Sequence, residues 1–130
     1  MEFLHPPHWK KPKGYSNGIS TTGRMVYIAG QIGWNAEEQF ETDDLFEQVE
    51  QALKNVKSVL DEAGGKPEHI TRMTWYVTSK KEYLSEPKRL GAAYRSVMGQ
   101  HYPVMTAVEV NALMEDRAKV EIECDAVVPI

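Results

Sequence analysis

The 130-residue chain has one cysteine, no long apolar run and no surplus of positive charge, and each shortage narrows what it can be. A lone Cys124 cannot form an internal disulfide, so the expected setting is a reducing compartment, the cytoplasm. Mean hydropathy is -0.48, and no stretch of about 20 apolar residues occurs, so no transmembrane helix is expected. Pro6, Pro7 and Pro12 break up the first residues, which hold no apolar core of signal length, so no secretory leader is expected. Lys and Arg number 15 against 19 Asp and Glu, a net charge of -4. That balance argues against nucleic acid, whose phosphates are gripped by clustered cations. Lys10, Lys11 and Lys13 form the densest basic group, and in a Pro-rich arm they read as a solvated tail.

Motifs for metal, nucleotide or triad chemistry are also missing. His5 and His8 flank two prolines that stiffen an extended arm, and no cluster of carboxylates or cysteines completes a ligand set. No His-Asp-Ser order, phosphate-cradling glycine loop or dinucleotide fingerprint is present. Cys124 alternates with Ala126 on one strand face and reads as a small buried hydrophobe, not a nucleophile.

What is present fits one folded domain: 42% apolar and 26% charged residues, with no repeats. Residues 1–13 are expected to be a Pro-rich arm and 14–130 a single domain. Gly14 to Thr22 reads as an extended strand or arm with a turn near Asn17-Gly18, and Arg24 to Ile32 as a strand. The spacing of Leu45, Val49, Ala52, Leu53, Val56, Leu60 and Ala63 predicts a helix over Asp44 to Ala63. Thr42, Asp43 or Asp44 can cap it, and Gly64-Gly65 ends it. Ile70 to Thr78 alternates as a strand with Met73, Trp75 and Val77 on one side. A second helix follows from Pro87 to Met98, then strands Met105 to Val110 and Lys119 to Val128 around a charged turn at Glu115-Asp116-Arg117. The order ββαβαββ predicts an α+β two-layer sandwich: a mixed sheet with two helices on one face. The uncovered face is partly apolar, which points to self-association.

Several stretches, in this order, resemble the RidA/YjgF family. They are Tyr15-Ser16-Asn17, then Val26 to Ile32 (VYIAGQI), Gln51 to Val56 (QALKNV) and Ala63-Gly64-Gly65. Tyr102-Pro103, Thr106 to Val110 (TAVEV), Leu113 and Val120 to Glu123 (VEIE) complete the set. The resemblance covers residues 14 to 128 and implies a chorismate-mutase-like fold, a homotrimer and three clefts between subunits. It further implies hydrolysis of reactive enamines and imines such as 2-aminoacrylate to a 2-keto acid and ammonia, with no metal or organic cofactor. The expected partners are therefore a small-molecule ligand and further copies of the chain, with neither nucleic acid nor membrane.

The founding reaction needs a carboxylate clamp, for which arginine's planar fork is suited. The family places that arginine two residues beyond the proline opening the penultimate strand, where this chain has Met105. A thioether cannot hold a carboxylate and reads as an apolar wall residue. Lys88, Arg89, Arg95 and His101 lie nearby, but their spacing gives no reason to expect them to point inward. A family asparagine three residues before Tyr94 is here Gly91. Of the remaining parts, the resemblance implies that Tyr15 reaches into the cleft and Glu121 positions water. Packing on an edge strand accounts equally well for Tyr15, and a solvated strand face for Glu121. Ala29, Gly30 and Gln31 are expected to line the cleft with backbone groups. Trp34 replaces a usually small or polar residue. If it shares a cleft with Tyr15 and Met105, the ligand is more apolar than 2-aminoacrylate, even aromatic; otherwise Trp34 packs under the following loop.

The expected function is a RidA-like homotrimer binding a small metabolite, without the founding activity. Alternatives are a hydrolase of an unusual imine or enamine, such as an aminomuconate-type acid, or a chaperone-like binding protein. An endoribonuclease fits the acidic composition least.

Overall fold

A computed structural model describes all 130 residues. Its main sheet has four strands in the order β3-β6-β4-β5: β3 (Arg24–Ile32), β4 (Ile70–Val77), β5 (Val104–Glu109) and β6 (Val120–Val128). β6 pairs antiparallel with both β3 and β4, whereas β5 runs parallel to β4 at the edge. Helices α1 (Leu45–Glu62) and α3 (Pro87–Met98) lie against each other, and α1 packs on β3 and β6. The α+β sandwich expected from the sequence is therefore present.

The core follows from the two periodicities. Along β4, Met73, Trp75 and Val77 are buried as expected, and along β6 Val120, Ile122, Cys124 and Ala126 alternate inward to meet them. Helix α1 adds Leu45, Val49, Ala52, Leu53, Val56 and Leu60, all buried in the same cluster. Of the three candidate caps for α1, Asp44 takes the role: its Oδ1 accepts the Glu47 N–H at 3.0 Å, and its own N–H donates to the Thr42 hydroxyl at 3.0 Å. Gly64 ends the helix with φ +71°, a left-handed turn that lets the Gly65 N–H reach the Leu60 carbonyl at 3.1 Å.

One buried polar residue carries no signal in the hydrophobic periodicity. Gln48, fully buried, donates from Nε2 to the carbonyls of Thr42 and Arg117 at 3.1 and 3.0 Å and accepts the Lys119 N–H at 2.8 Å. With every polar atom engaged, it ties α1 to the start of β6 at little desolvation cost. Gly33 is small because a Cβ there would fall 2.6 Å from that of Gln48.

Three expectations change. The strand expected over Gly14 to Thr22 shortens to β2 (Gly18–Ser20), which joins no main-sheet strand. It pairs instead with β1 (Glu2–Leu4), so the Pro-rich arm folds back as half of a small two-stranded sheet. The prolines lie after β1, where they interrupt no ladder. A short helix α2 (Lys80–Tyr83), not expected from the sequence, begins where the Ser79 hydroxyl accepts the Glu82 N–H at 3.1 Å. The last two strands start at Val104 and Val120, each one residue from the expected position.

Replacing Asp44 tests the α1 cap. Burial by itself raises the Asp44 carboxyl pKa, but the Glu47 N–H and Arg89 outweigh it and hold the pKa below its ordinary value. A depressed carboxyl stabilises the fold above its unfolded pKa and loses that contribution as pH falls through the folded value. Asp44→Ala is thus expected to cost about 1 kcal/mol at pH 7. The gap from wild type should shrink below about pH 4, as read by urea denaturation at pH 7 and pH 3.

Candidate functional site

Between β4, β5 and α3 lies a cavity of about 410 Å³ whose lining includes four aromatic residues. Strand pairing sets Met105 opposite Met73, and Met73 is fully buried, so Met105 faces the helix layer and packs against the core. Trp75 continues the same face of β4, with Tyr83 edge-on to it at 6.2 Å. Tyr94 descends from α3, stacks on Tyr102 at 5.4 Å and donates its hydroxyl hydrogen to the His101 carbonyl at 2.6 Å. Burial pushes the Tyr94 and Tyr83 hydroxyls above their ordinary pKa, so both stay neutral. The indole N–H of Trp75 is buried without a partner.

The two residues that the resemblance marks as departures meet here. Met105 and Gly91 line the same cavity. The gap at Gly91 is used: a Cβ there would lie 2.8 Å from Nη1 of Arg95, so the missing side chain makes room for that guanidinium. Arg95 lines the cavity, as does Lys13 from the arm, contrary to the expectation that no nearby cation turns this way. Two neighbouring basic residues are engaged elsewhere. Arg89 pairs with Asp44 at 2.9 Å and Glu86 at 3.3 Å and lies over the Phe46 ring, while His101 Nε2 donates to the Ile70 carbonyl at 2.7 Å. The i,i+4 spacing of Gly91 and Arg95 on one helix face was the sequence signal for this contact.

A second cluster sits on the opposite face. The pairing of β3 with β6 slips between Ile28 and Gln31, and Ala29 and Gly30 occupy the irregularity. A Cβ on Gly30 would collide with the Glu121 carboxylate, an approach only glycine permits. Gln31 Nε2 donates to the Ala29 carbonyl at 3.1 Å. Glu121 lies opposite Tyr76, on the face that Met73 and Trp75 turn away from. Glu121 and Met105 are therefore on opposite faces of the sheet, on strands separated by β4, and offset along it because Met105 is level with Met73 and Glu121 with Tyr76.

Tyr15 and Trp34 join neither group. The residue after Tyr15 is tied to the β5 end, the Ser16 N–H donating to the Pro103 carbonyl at 3.0 Å. Tyr15 borders a separate groove of about 670 Å³ beneath the arm, with Phe3, Trp9 and His101 among its walls. Tyr102 and Gly14 border both hollows. Trp34 packs on Phe40 at 5.9 Å, and its carbonyl accepts from Asn55 Nδ2 at 2.8 Å. Within one chain, then, Trp34, Tyr15 and Met105 do not share a cleft, and Trp34 packs with the following loop.

The family model described as Endoribonuclease L-PSP matches residues 9–128. The chain belongs to the RidA/YjgF family. It is 31% identical over 116 residues to a 2-iminobutanoate/2-iminopropanoate deaminase of Salmonella typhimurium, covering 87% of this chain and 86% of that protein. A RutC family protein of Pyrococcus abyssi is 30% identical over 119 residues, 90% of this chain and 87% of its own. Among solved structures, the Rid-family protein YyfB of Yersinia pestis aligns over 98% of both chains with a TM-score of 0.87 at 27% identity.

In this RidA/YjgF chain the one thiol stands apart from both clusters' chemistry. Burial, then the neighbouring Asp125 and Glu123, push the Cys124 thiol up to about 12, and 2% of its surface is exposed. The native protein should leave a thiol-specific chromogenic disulfide unreacted at pH 8 and release one equivalent only on unfolding. Rapid labelling of folded protein would contradict this burial.

Proposed function

We propose that the chain acts as a homotrimer that holds a small metabolite in clefts between subunits, without the founding 2-aminoacrylate deaminase activity. The observation that carries this reading is Met105 lying on the cavity floor, on the strand that in the family presents the carboxylate arginine. Removing a bidentate ion pair from a desolvated cleft costs on the order of 2–5 kcal/mol, about 30-fold to several thousandfold in rate or affinity.

Self-association is supported by the uncovered sheet face. Met25 is 59% and Tyr27 69% exposed on β3, next to Val127 and Asp125 of β6, and Val108 is exposed on β5. Apolar side chains on a sheet face are ordinarily covered, and a further copy of the chain is the simplest cover. Assembly also supplies what one chain lacks, because Met105 and Glu121 lie on opposite faces and a cleft joining them needs two subunits. Sedimentation equilibrium is expected to give three times the 14.8 kDa chain mass; a monomer at micromolar concentration would overturn the intersubunit cleft.

A second reading, hydrolysis of an unusual imine, draws on the deaminase relatives and on the Gly30–Glu121 contact. In that reaction water adds to the imine carbon, the C–N bond breaks, and ammonia leaves a 2-keto acid, with Glu121 orienting the water. Coupling an amino-acid oxidase to the protein and following imine decay separates the two readings. Wild type is expected to leave 2-iminopropanoate decay at its spontaneous rate, and Met105→Arg to accelerate it. Acceleration by wild type would show that the founding reaction survives without the arginine.

A further inference from the structure

Arg95 is a cation without a partner. It takes part in none of the ion pairs of the protein, and no side chain or carbonyl accepts from its guanidinium. Its helix neighbours at three and four residues are Gly91, Ala92, Met98 and Gly99, so no carboxylate stands on its own face of α3. Lys13, which reaches the same cavity from the arm, is likewise unpaired. Two unpaired cations thus border a cavity whose remaining walls include Trp75, Tyr83, Tyr94 and Met105.

We propose that Arg95, assisted by Lys13, holds the carboxylate of a ligand whose planar apolar body fills the aromatic cavity over Met105. This rests on the reading of that cavity as a ligand site. The anion-binding role has moved from strand β5 to helix α3, and Gly91 makes the move possible. A Cβ at 91 would fall 2.8 Å from Arg95 Nη1, so a side chain there would push the guanidinium aside. Met105 and Gly91 are therefore two halves of one change: one removes charge from the floor, the other admits charge from the helix.

The move selects for size. A carboxylate gripped at α3 places a three-carbon acid beside the helix and leaves the rest of about 410 Å³ unfilled. A volume in that range suits a larger ligand, and aromatic walls favour a flat one.

Calorimetric titration of the full chain with phenylpyruvate, its neutral counterpart phenylacetone, and pyruvate tests the assignment. Wild type is expected to bind phenylpyruvate more tightly than either other probe. Arg95→Gln should weaken phenylpyruvate on the order of tenfold to a hundredfold and leave phenylacetone unchanged, and Arg95→Lys should fall between. Gly91→Asn, which keeps the arginine but displaces it, should also weaken phenylpyruvate selectively. Because Arg95 has no partner in the fold, the unliganded Arg95→Gln protein should unfold at the wild-type temperature. If wild type and Arg95→Gln bind phenylpyruvate and phenylacetone alike, the cavity stands as a ligand site and the Arg95 assignment falls. If wild type binds none of the probes, the ligand-site reading and the assignment both fail.

Discussion

The antiparallel pairing of β4 with β6 holds the molecule together. It sets Trp75 against Ile122 and Met73 against Cys124, four side chains almost wholly removed from water. Because strand side chains alternate, burying that row leaves no freedom for the residues between. Thr74, Tyr76, Glu121 and Glu123 must point the other way, and a slip of one residue would drive carboxylates into the core. The register is thus enforced by the cost of burying charge as well as by the gain from burying apolar surface.

That constraint places the two residue clusters on opposite faces of the sheet. Met105 follows Met73 toward the helices, while Glu121 follows Tyr76 toward the open face. No side-chain rotation brings the two together across β4. Chemistry that needs both kinds of residue requires a second copy of the sheet, so the fold couples any intersubunit cleft to assembly. The glycines respect the same geometry: Gly30 lets Glu121 lie against the β3 backbone, and Gly91 lets Arg95 lie against α3.

The cavity over Met105 differs in character from a site for a short acid. Its floor is a thioether, its walls are aromatic, and its cations come from a helix and an N-terminal arm. Guanidinium and ammonium groups at a cavity edge act through partly solvated contacts, where each contact counts for less than in a dry interior.

Much of the architecture was legible in the chain itself, because burial writes its period into the sequence. The 3.6-residue stripe from Leu45 to Leu60, the alternation along β4, Pro87 opening α3 and Gly64 closing α1 each state a local rule that the fold obeys. The departure at Met105 was visible only through the family resemblance, which implies an arginine two residues beyond Pro103. Where the side chains meet was decided by tertiary structure. That the arm returns to pair with β2, that Gln48 bridges three backbone groups, that Trp34 sits on Phe40 and that Arg95 turns into the gap at Gly91 depend on contacts between distant segments or on directions in space. Local propensity fixes which residues share a face, but only the packing of one layer on another decides what that face touches.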